Sequence, residues 1–293
     1  MNPWIMAARP KTLPAGMAPV LLGLALHLSL GGSLNVPIAL ITLLCTLLLQ
    51  ISSNLINDYY DGVKGTDTEE RLGPPRATAL GLLSPKQVKK GFLSTMLAAF
   101  FLGLILMAHG GLPIIVIGLS SLFFAWAYTG GPFPLSYFGL GEIFAFIFFG
   151  PVAVTGTWYL QAPGVTSVPT EVLLVGSAVG LISAALMGVN NLRDIDSDKK
   201  AGKTTLATLV GDWSMRKIIV LFLIVSQLIM LSLFKDRPLS ILIGLIPLGL
   251  FYKYWWQLLG TVRGKDLNNT LATVGKYLFL FGLFYSSQLI WKI

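Results

Sequence analysis

Between residues 13 and 291 the chain passes through nine long apolar runs, near 13–31, 37–57, 91–108, 112–129, 139–160, 171–192, 217–234, 238–256 and 274–291. Each is long enough to cross the ~30 Å hydrocarbon layer as a helix. Lipid offers no partner to an unpaired backbone group, so runs of this kind predict helices. They are too long and too evenly apolar for the alternating pattern of a membrane barrel. A water-soluble fold needs polar faces that these runs lack. Only 12% of residues are charged, against about 25% in soluble domains, and the mean hydropathy is +0.74. The expectation is an all-α polytopic membrane protein with nine transmembrane helices, residues 1–293 forming one domain.

Charge supports that division of the chain. With nine spans, all of the 21 Lys and Arg except Lys235, Arg237 and Lys292 fall on one side. Because positive loops stay inside, the N-terminus is expected in the cytoplasm and the C-terminus outside, in a bacterial cytoplasmic (inner) membrane. The same bias accounts for the net charge of +8, and no basic-aromatic patch calls for nucleic acid. The opening "MNPWIMAARPKTLPAG" has a basic flank but no small-x-small cleavage pattern after its apolar run, so it is expected to remain as an anchor. Cys45 is the lone cysteine, which excludes an intrachain disulfide and a cysteine metal cluster. His27 and His109 are isolated and are read as packing residues.

The acids raise a separate question. Of 13, all but Glu171 and Asp236 fall on the cytoplasmic side, although acids count little in setting topology. They gather in two clusters. In "NLINDYYDGVKGTD", Asn54, Asp58 and Asp61 are spaced to share one helical face. In "NNLRDIDSDKKAGK", Asn191, Asp194 and Asp198 share one too. Each cluster ends an even-numbered span, and "NLIND" resembles "NNLRD". Carboxylates suit Mg²⁺, which takes one or two of them plus substrate phosphates. Lys64, Arg71 and Arg76 follow the first cluster, and Arg193 and Lys203 accompany the second, as a diphosphate bound through metal would require. Glu69, Glu70, Lys86, Lys89 and Lys90 read as solvated loop charges, and Asp196 projects off the Asp194/Asp198 face.

Other motifs fail. "DIDSDK" begins like a calcium-binding loop, but Lys199 replaces the required Gly and Thr205 the bidentate Glu. "AGKT" ends like a phosphate loop, but Ser197 stands at its first Gly. A cation-coupled transporter is the reading from another class. It requires ionisable groups near mid-membrane, whereas these gather at one face.

The paired motifs "NDYYDGVKGTD" and "NNLRDIDSDKKAGKTTLA" resemble those of the UbiA superfamily of intramembrane aromatic prenyltransferases. "RPKTLPAG", "ERLGPPRA", "YTGGPFPLSYFGLGE", "FFGPVAVTGTWYLQ" and "LNNTLATVGK" are similar to the branch that prenylates 1,4-dihydroxy-2-naphthoate in menaquinone synthesis. The resemblance spans nearly the whole chain. One spacing departs from the broader superfamily: Gly65 stands four residues after Asp61, and the next acid is Asp67.

The resemblance implies nine helices around a central cavity open to lipid. It implies Mg²⁺ held by Asp58, Asp61, Asp67, Asp194 and Asp198 between a polyprenyl diphosphate and the protein. Asn54, Asn57, Lys64, Arg76, Asn190, Asn191, Arg193 and Lys203 are the expected diphosphate contacts, and Tyr128 is expected near the ionising carbon. The catalytic set is then Asp58, Asp61, Asp194, Asp198 and Tyr128. Transfer to 1,4-dihydroxy-2-naphthoate with loss of CO₂ gives demethylmenaquinone; 4-hydroxybenzoate or homogentisate is the alternative acceptor within the same fold. Glu142 either positions the acceptor or caps a helix.

Overall fold

A computed structural model describes residues 2–64, 72–74, 76–260 and 262–291 of the chain; the side chain of Lys64 lies outside that description. Four helices begin on proline, whose missing N–H costs nothing at a first helical turn: α1 (Pro3–Ala8), α2 (Pro14–Ser29), α4 (Pro85–Ala127) and α11 (Pro238–Leu250). Ser84 and Gln87 cap α4 reciprocally. Between α2 and α4 runs α3 (Val36–Lys64). The run expected at 139–160 becomes α5 (Gly141–Ile147), a π turn at Phe148–Val152 around Pro151, and α6 (Ala153–Gln161). Then come α7 (Thr170–Arg193), the short α8 (Ile195–Lys200) and α9 (Leu206–Val210), and α10 (Asp212–Leu233). After α11, α12 (Tyr252–Gly260) and α13 (Leu267–Trp291) complete the chain. Among the described residues there is no strand beyond one isolated parallel bridge between Phe138 and Thr204.

The nine expected runs all fall on helices, but helix length and hydropathy alone do not return nine spans. Among the described residues five helices qualify, or seven if two bent pairs, the N-terminal pair and α11 with α12, each count as one. There are two reasons. The runs 91–108 and 112–129 share α4, which turns at Gly111 (φ 66°, ψ −154°). A Cβ on Gly118 would meet Met107 Cε at 2.5 Å; these residues stand ~16 Å apart on a straight helix, so α4 is a hairpin of two helices. The apolar residues of α13 are interleaved with Asn268, Asn269, Lys276 and Gln288, which lowers its hydropathy.

The core forms where α7 meets α2, α6, α10 and α13, around Leu22, Trp158, Val179, Ile182, Ile219 and Phe281. Without a hydrophobic drive between helices in lipid, close approach depends on small residues. Gly150 and Gly180 serve that role: an added Cβ would lie 2.5 Å from the Gly176 carbonyl oxygen and 2.6 Å from the Phe146 carbonyl oxygen respectively. Gly249 has open space around it. Gly180→Ala therefore forces backbone apart, at a cost of ~1–3 kcal/mol. It should lower the thermal unfolding midpoint in detergent, while Gly249→Ala leaves it unchanged; equal midpoints would contradict this packing.

Candidate functional site

The first acidic motif occupies the last turns of α3. Asp58 is 1% exposed. Its Oδ1 accepts a hydrogen bond from the Thr78 hydroxyl at 2.7 Å, and its Oδ2 is buried with no hydrogen-bond partner among the described residues. Asp61 pairs with Arg76 at 2.5 Å. Arg76 also donates to the Asn57 carbonyl, and the Asn57 side-chain oxygen accepts from Thr129. Arg76 and Thr78 thus lie against the end of α3. Asn54 faces the other way: its amide donates to the Ala8 carbonyl at 2.9 Å and to the Thr12 hydroxyl at 3.0 Å.

The second motif ends α7 and forms α8. Arg193, 3% exposed, grips both Asp194 oxygens at 2.8 and 2.5 Å. It also donates to the side-chain oxygens of Asn190 at 2.8 Å and Asn268 at 2.9 Å. Asn268 in turn donates to the Leu72 carbonyl at 2.7 Å, tying α13 and the second motif to the segment that follows the first. Asp198 is buried 3.4 Å from the Lys203 ammonium. Burial lifts its carboxyl above the usual range against the opposing pull of Lys203. Its Oδ2, like that of Asp58, has no hydrogen-bond partner among the described residues. Asp196 is exposed. Asn191 gives its amide to Glu142 Oε1 at 2.9 Å, and Glu142 itself is 3% exposed.

The segment between α4 and α5 joins the two halves. Tyr128 follows α4, and its hydroxyl meets Met187 Sδ of α7 at 3.6 Å. Gly139 N–H donates to the Thr204 carbonyl at 2.9 Å, and Thr204 N–H to that of Tyr137 at 3.3 Å. A Cβ on Gly141 would lie 2.8 Å from the Tyr128 hydroxyl and 3.5 Å from the Asn191 amide nitrogen, so Tyr128 stands beside the second motif. Burial, then Asp61 and Asp198, push the Tyr137 hydroxyl above its ordinary range. Asp61 and Asp198, one acid from each motif, thus both act on Tyr137.

Tyr128 also lines a cavity of about 340 Å³. Its polar end carries Arg9, Gln50, Asn54, Asn57, Tyr128 and Asn190, and its apolar walls include Met107, Ile117, Phe144 and Phe148. Asn54, Asn57, Tyr128 and Asn190 of the expected set line it. The four described aspartates stand outside this lining, in the last turns of α3, between α7 and α8, and in α8. Among the described residues no three His, Cys, Asp or Glu side chains form a ready metal cluster. The two orphaned Oδ2 atoms, one per motif, nevertheless fit a hard divalent cation, which takes oxygen ligands. Asp61 and Asp194 are engaged with arginines, and the amides of Asn54 and Asn191 with Ala8, Thr12 and Glu142. Asp67, Glu69, Glu70 and Arg71 lie outside the described residues. Sequence reasoning missed Thr78, Thr129, Asn268, and the place of Arg9 and Gln50 on the cavity wall. "RPKTLPAG" and "LNNTLATVGK" carry two of these residues, but nothing in either string says what they face.

The model of the UbiA prenyltransferase family matches residues 16–286. The chain is 39% identical over 236 residues to a 1,4-dihydroxy-2-naphthoate octaprenyltransferase of Haemophilus influenzae, covering 78% of this chain and 76% of that protein. A protein of the same name from Mycobacterium tuberculosis is 35% identical over 290 residues, 96% of this chain and 94% of its own. The fold is similar to that of a UbiA homolog from Archaeoglobus fulgidus bound to DMAPP and Mg2+, with TM-score 0.64 and 17% identity over 99% of this chain and 100% of that one.

Asn268→Ala removes both bonds that join the motifs. Backbone amides of residues 76–83 should then exchange hydrogen faster by mass spectrometry, with α10 protected as before. Unchanged exchange at 76–83 would refute the bridge.

Proposed function

The chain belongs to the UbiA prenyltransferase family, and from that premise we propose that it transfers a polyprenyl group from a polyprenyl diphosphate to 1,4-dihydroxy-2-naphthoate with loss of CO₂. It is an integral membrane prenyltransferase. The observation that carries the choice of acceptor is identity of 35–39% to relatives named for that substrate, across most of the chain. The geometry supports it: two acidic helix ends converge at the mouth of a cavity whose far walls are apolar. A prenyl tail fits those walls, and a diphosphate belongs at the charged mouth.

Asp58 and Asp198 would offer their unpartnered oxygens to Mg²⁺ in this reading, and Asp61 and Asp194 would join them on leaving Arg76 and Arg193. Once bound, the metal would neutralise the diphosphate and make it a better leaving group. The A. fulgidus structure with DMAPP and Mg2+ supports that chemistry for the fold. Arg76 and Lys203, each already beside an aspartate, are poised to exchange those contacts for diphosphate oxygens. Tyr128 lines the cavity beside the second motif, where its ring face stabilises an allylic cation as the C–O bond breaks. Phe144 and Phe148 exclude water from that cation. The ring carbon that bears the carboxylate attacks it, and as CO₂ departs the electron pair of the broken C–C bond restores aromaticity, leaving the prenylated naphthoquinol. The separation of Lys and Arg supports an active site at the cytoplasmic face, with the N-terminus inside and the C-terminus outside.

Membranes containing the protein, given Mg²⁺, a polyprenyl diphosphate and each of 1,4-dihydroxy-2-naphthoate, 4-hydroxybenzoate and homogentisate, should yield a prenylated product only from the naphthoate. Asp58→Ala or Asp194→Ala should abolish turnover at unchanged protein level. Product from another acceptor alone would overturn the acceptor, and retained activity in either variant would overturn the metal assignment.

A further inference from the structure

We propose that Arg9 reads the carboxylate of the aromatic acceptor, an inference that rests on the acceptor assigned above. Among the described residues lining the cavity, Arg9 is the one that carries a charge. An aromatic acid cannot leave water for such a cavity with its carboxylate unpaired. A guanidinium answers that need with a planar fork of donors matched to two carboxylate oxygens.

The backbone points to the same residue. Arg9 is the only non-glycine residue among those described that adopts a left-handed conformation, at φ 50° and ψ 70°. That costs ~1 kcal/mol or more and persists where the surroundings enforce it. Here they do. Arg9 N–H donates to the Met6 carbonyl at 3.2 Å, and the Thr12 hydroxyl donates to the Arg9 carbonyl at 2.9 Å. Thr12 is held in turn by the amides of Asn54 at 3.0 Å and Gln50 at 3.3 Å, and Asn54 also holds the Ala8 carbonyl. Gln50 and Asn54, one turn apart on α3, thus commit their donors to the turn that presents Arg9.

Position separates this site from the diphosphate. Asn54 sits one turn deeper on α3 than Asp58, a rise of ~6 Å. The diphosphate end has Arg76 and Lys203 beside its aspartates; the Arg9 turn rests on Thr12, Gln50 and Asn54. An acceptor whose carboxylate rests on Arg9 lies in the cavity that Tyr128 also lines.

The test is equilibrium binding of 1,4-dihydroxy-2-naphthoate and of 1,4-dihydroxynaphthalene, which lacks the carboxylate, to the purified protein. The wild type should prefer the naphthoate by about 10- to 100-fold, the range of a charge-assisted pair. Arg9→Gln should erase that preference by weakening the naphthoate alone, Arg9→Lys should keep part of it, and the KM for polyprenyl diphosphate should stay within about twofold in both. The proposal is overturned if the wild type shows no preference, if Arg9→Gln weakens both ligands equally, or if the diphosphate KM rises instead. A wild type that prefers the naphthoate yet forms no prenylated product would refute the proposed reaction and leave the carboxylate site standing.

Discussion

A carboxylate buried at the edge of a membrane costs several kcal/mol unless a cation meets it. This chain buries Asp58 and Asp198 at the ends of separate helical segments, each with one oxygen lacking a hydrogen-bond partner among the described residues. The rest of the site follows from answering those charges. Arg76 returns to Asp61, Arg193 locks Asp194, and Lys203 closes on Asp198. Two oxygens remain over, one from each motif, and in the proposed reaction a divalent cation would meet them.

The fold serves that arrangement by letting helices approach closely on one side and stand apart on the other. Gly150 and Gly180 bring α5, the π turn and α7 into backbone contact. That contact sets Glu142 against Asn191 and the Tyr128 hydroxyl against α7. The hairpin in α4 turns its two halves toward the cavity, where Met107 and Gly118 face each other. The same side chains that make the core helical in lipid thus leave an apolar chamber beneath a polar mouth.

Much of this was legible in the sequence. Apolar length gave the helices, because lipid admits little else, but α7 ends at Arg193 and α8 starts at Ile195, so the expected shared face of Asn191, Asp194 and Asp198 is interrupted at Asp194. Periodicity says which residues share a face but not what lies across from it. Asn54 and Asn191 therefore read as head-group contacts, although their amides serve the Arg9 turn and Glu142. Asn268 was out of reach for another reason: its partners Arg193 and Leu72 are 75 and 196 residues away. Arg9 looked like a topogenic charge because its neighbours are basic and apolar; its left-handed backbone is a tertiary fact. The hairpin at Gly111 was foreseen as two apolar runs, 91–108 and 112–129; they lie on the 43-residue α4, about twice what a bilayer holds.

The account joins three events at one site: cleavage of the diphosphate, formation of the carbon–carbon bond and departure of the carboxyl carbon. Acceptor labelled with ¹³C at the carboxyl group tests that union directly. With Mg²⁺ and a polyprenyl diphosphate, each prenylated naphthoquinol should appear with one diphosphate and one labelled CO₂, and no label should leave without donor. Prenylated product that retains the label, or CO₂ released without the donor, would contradict it.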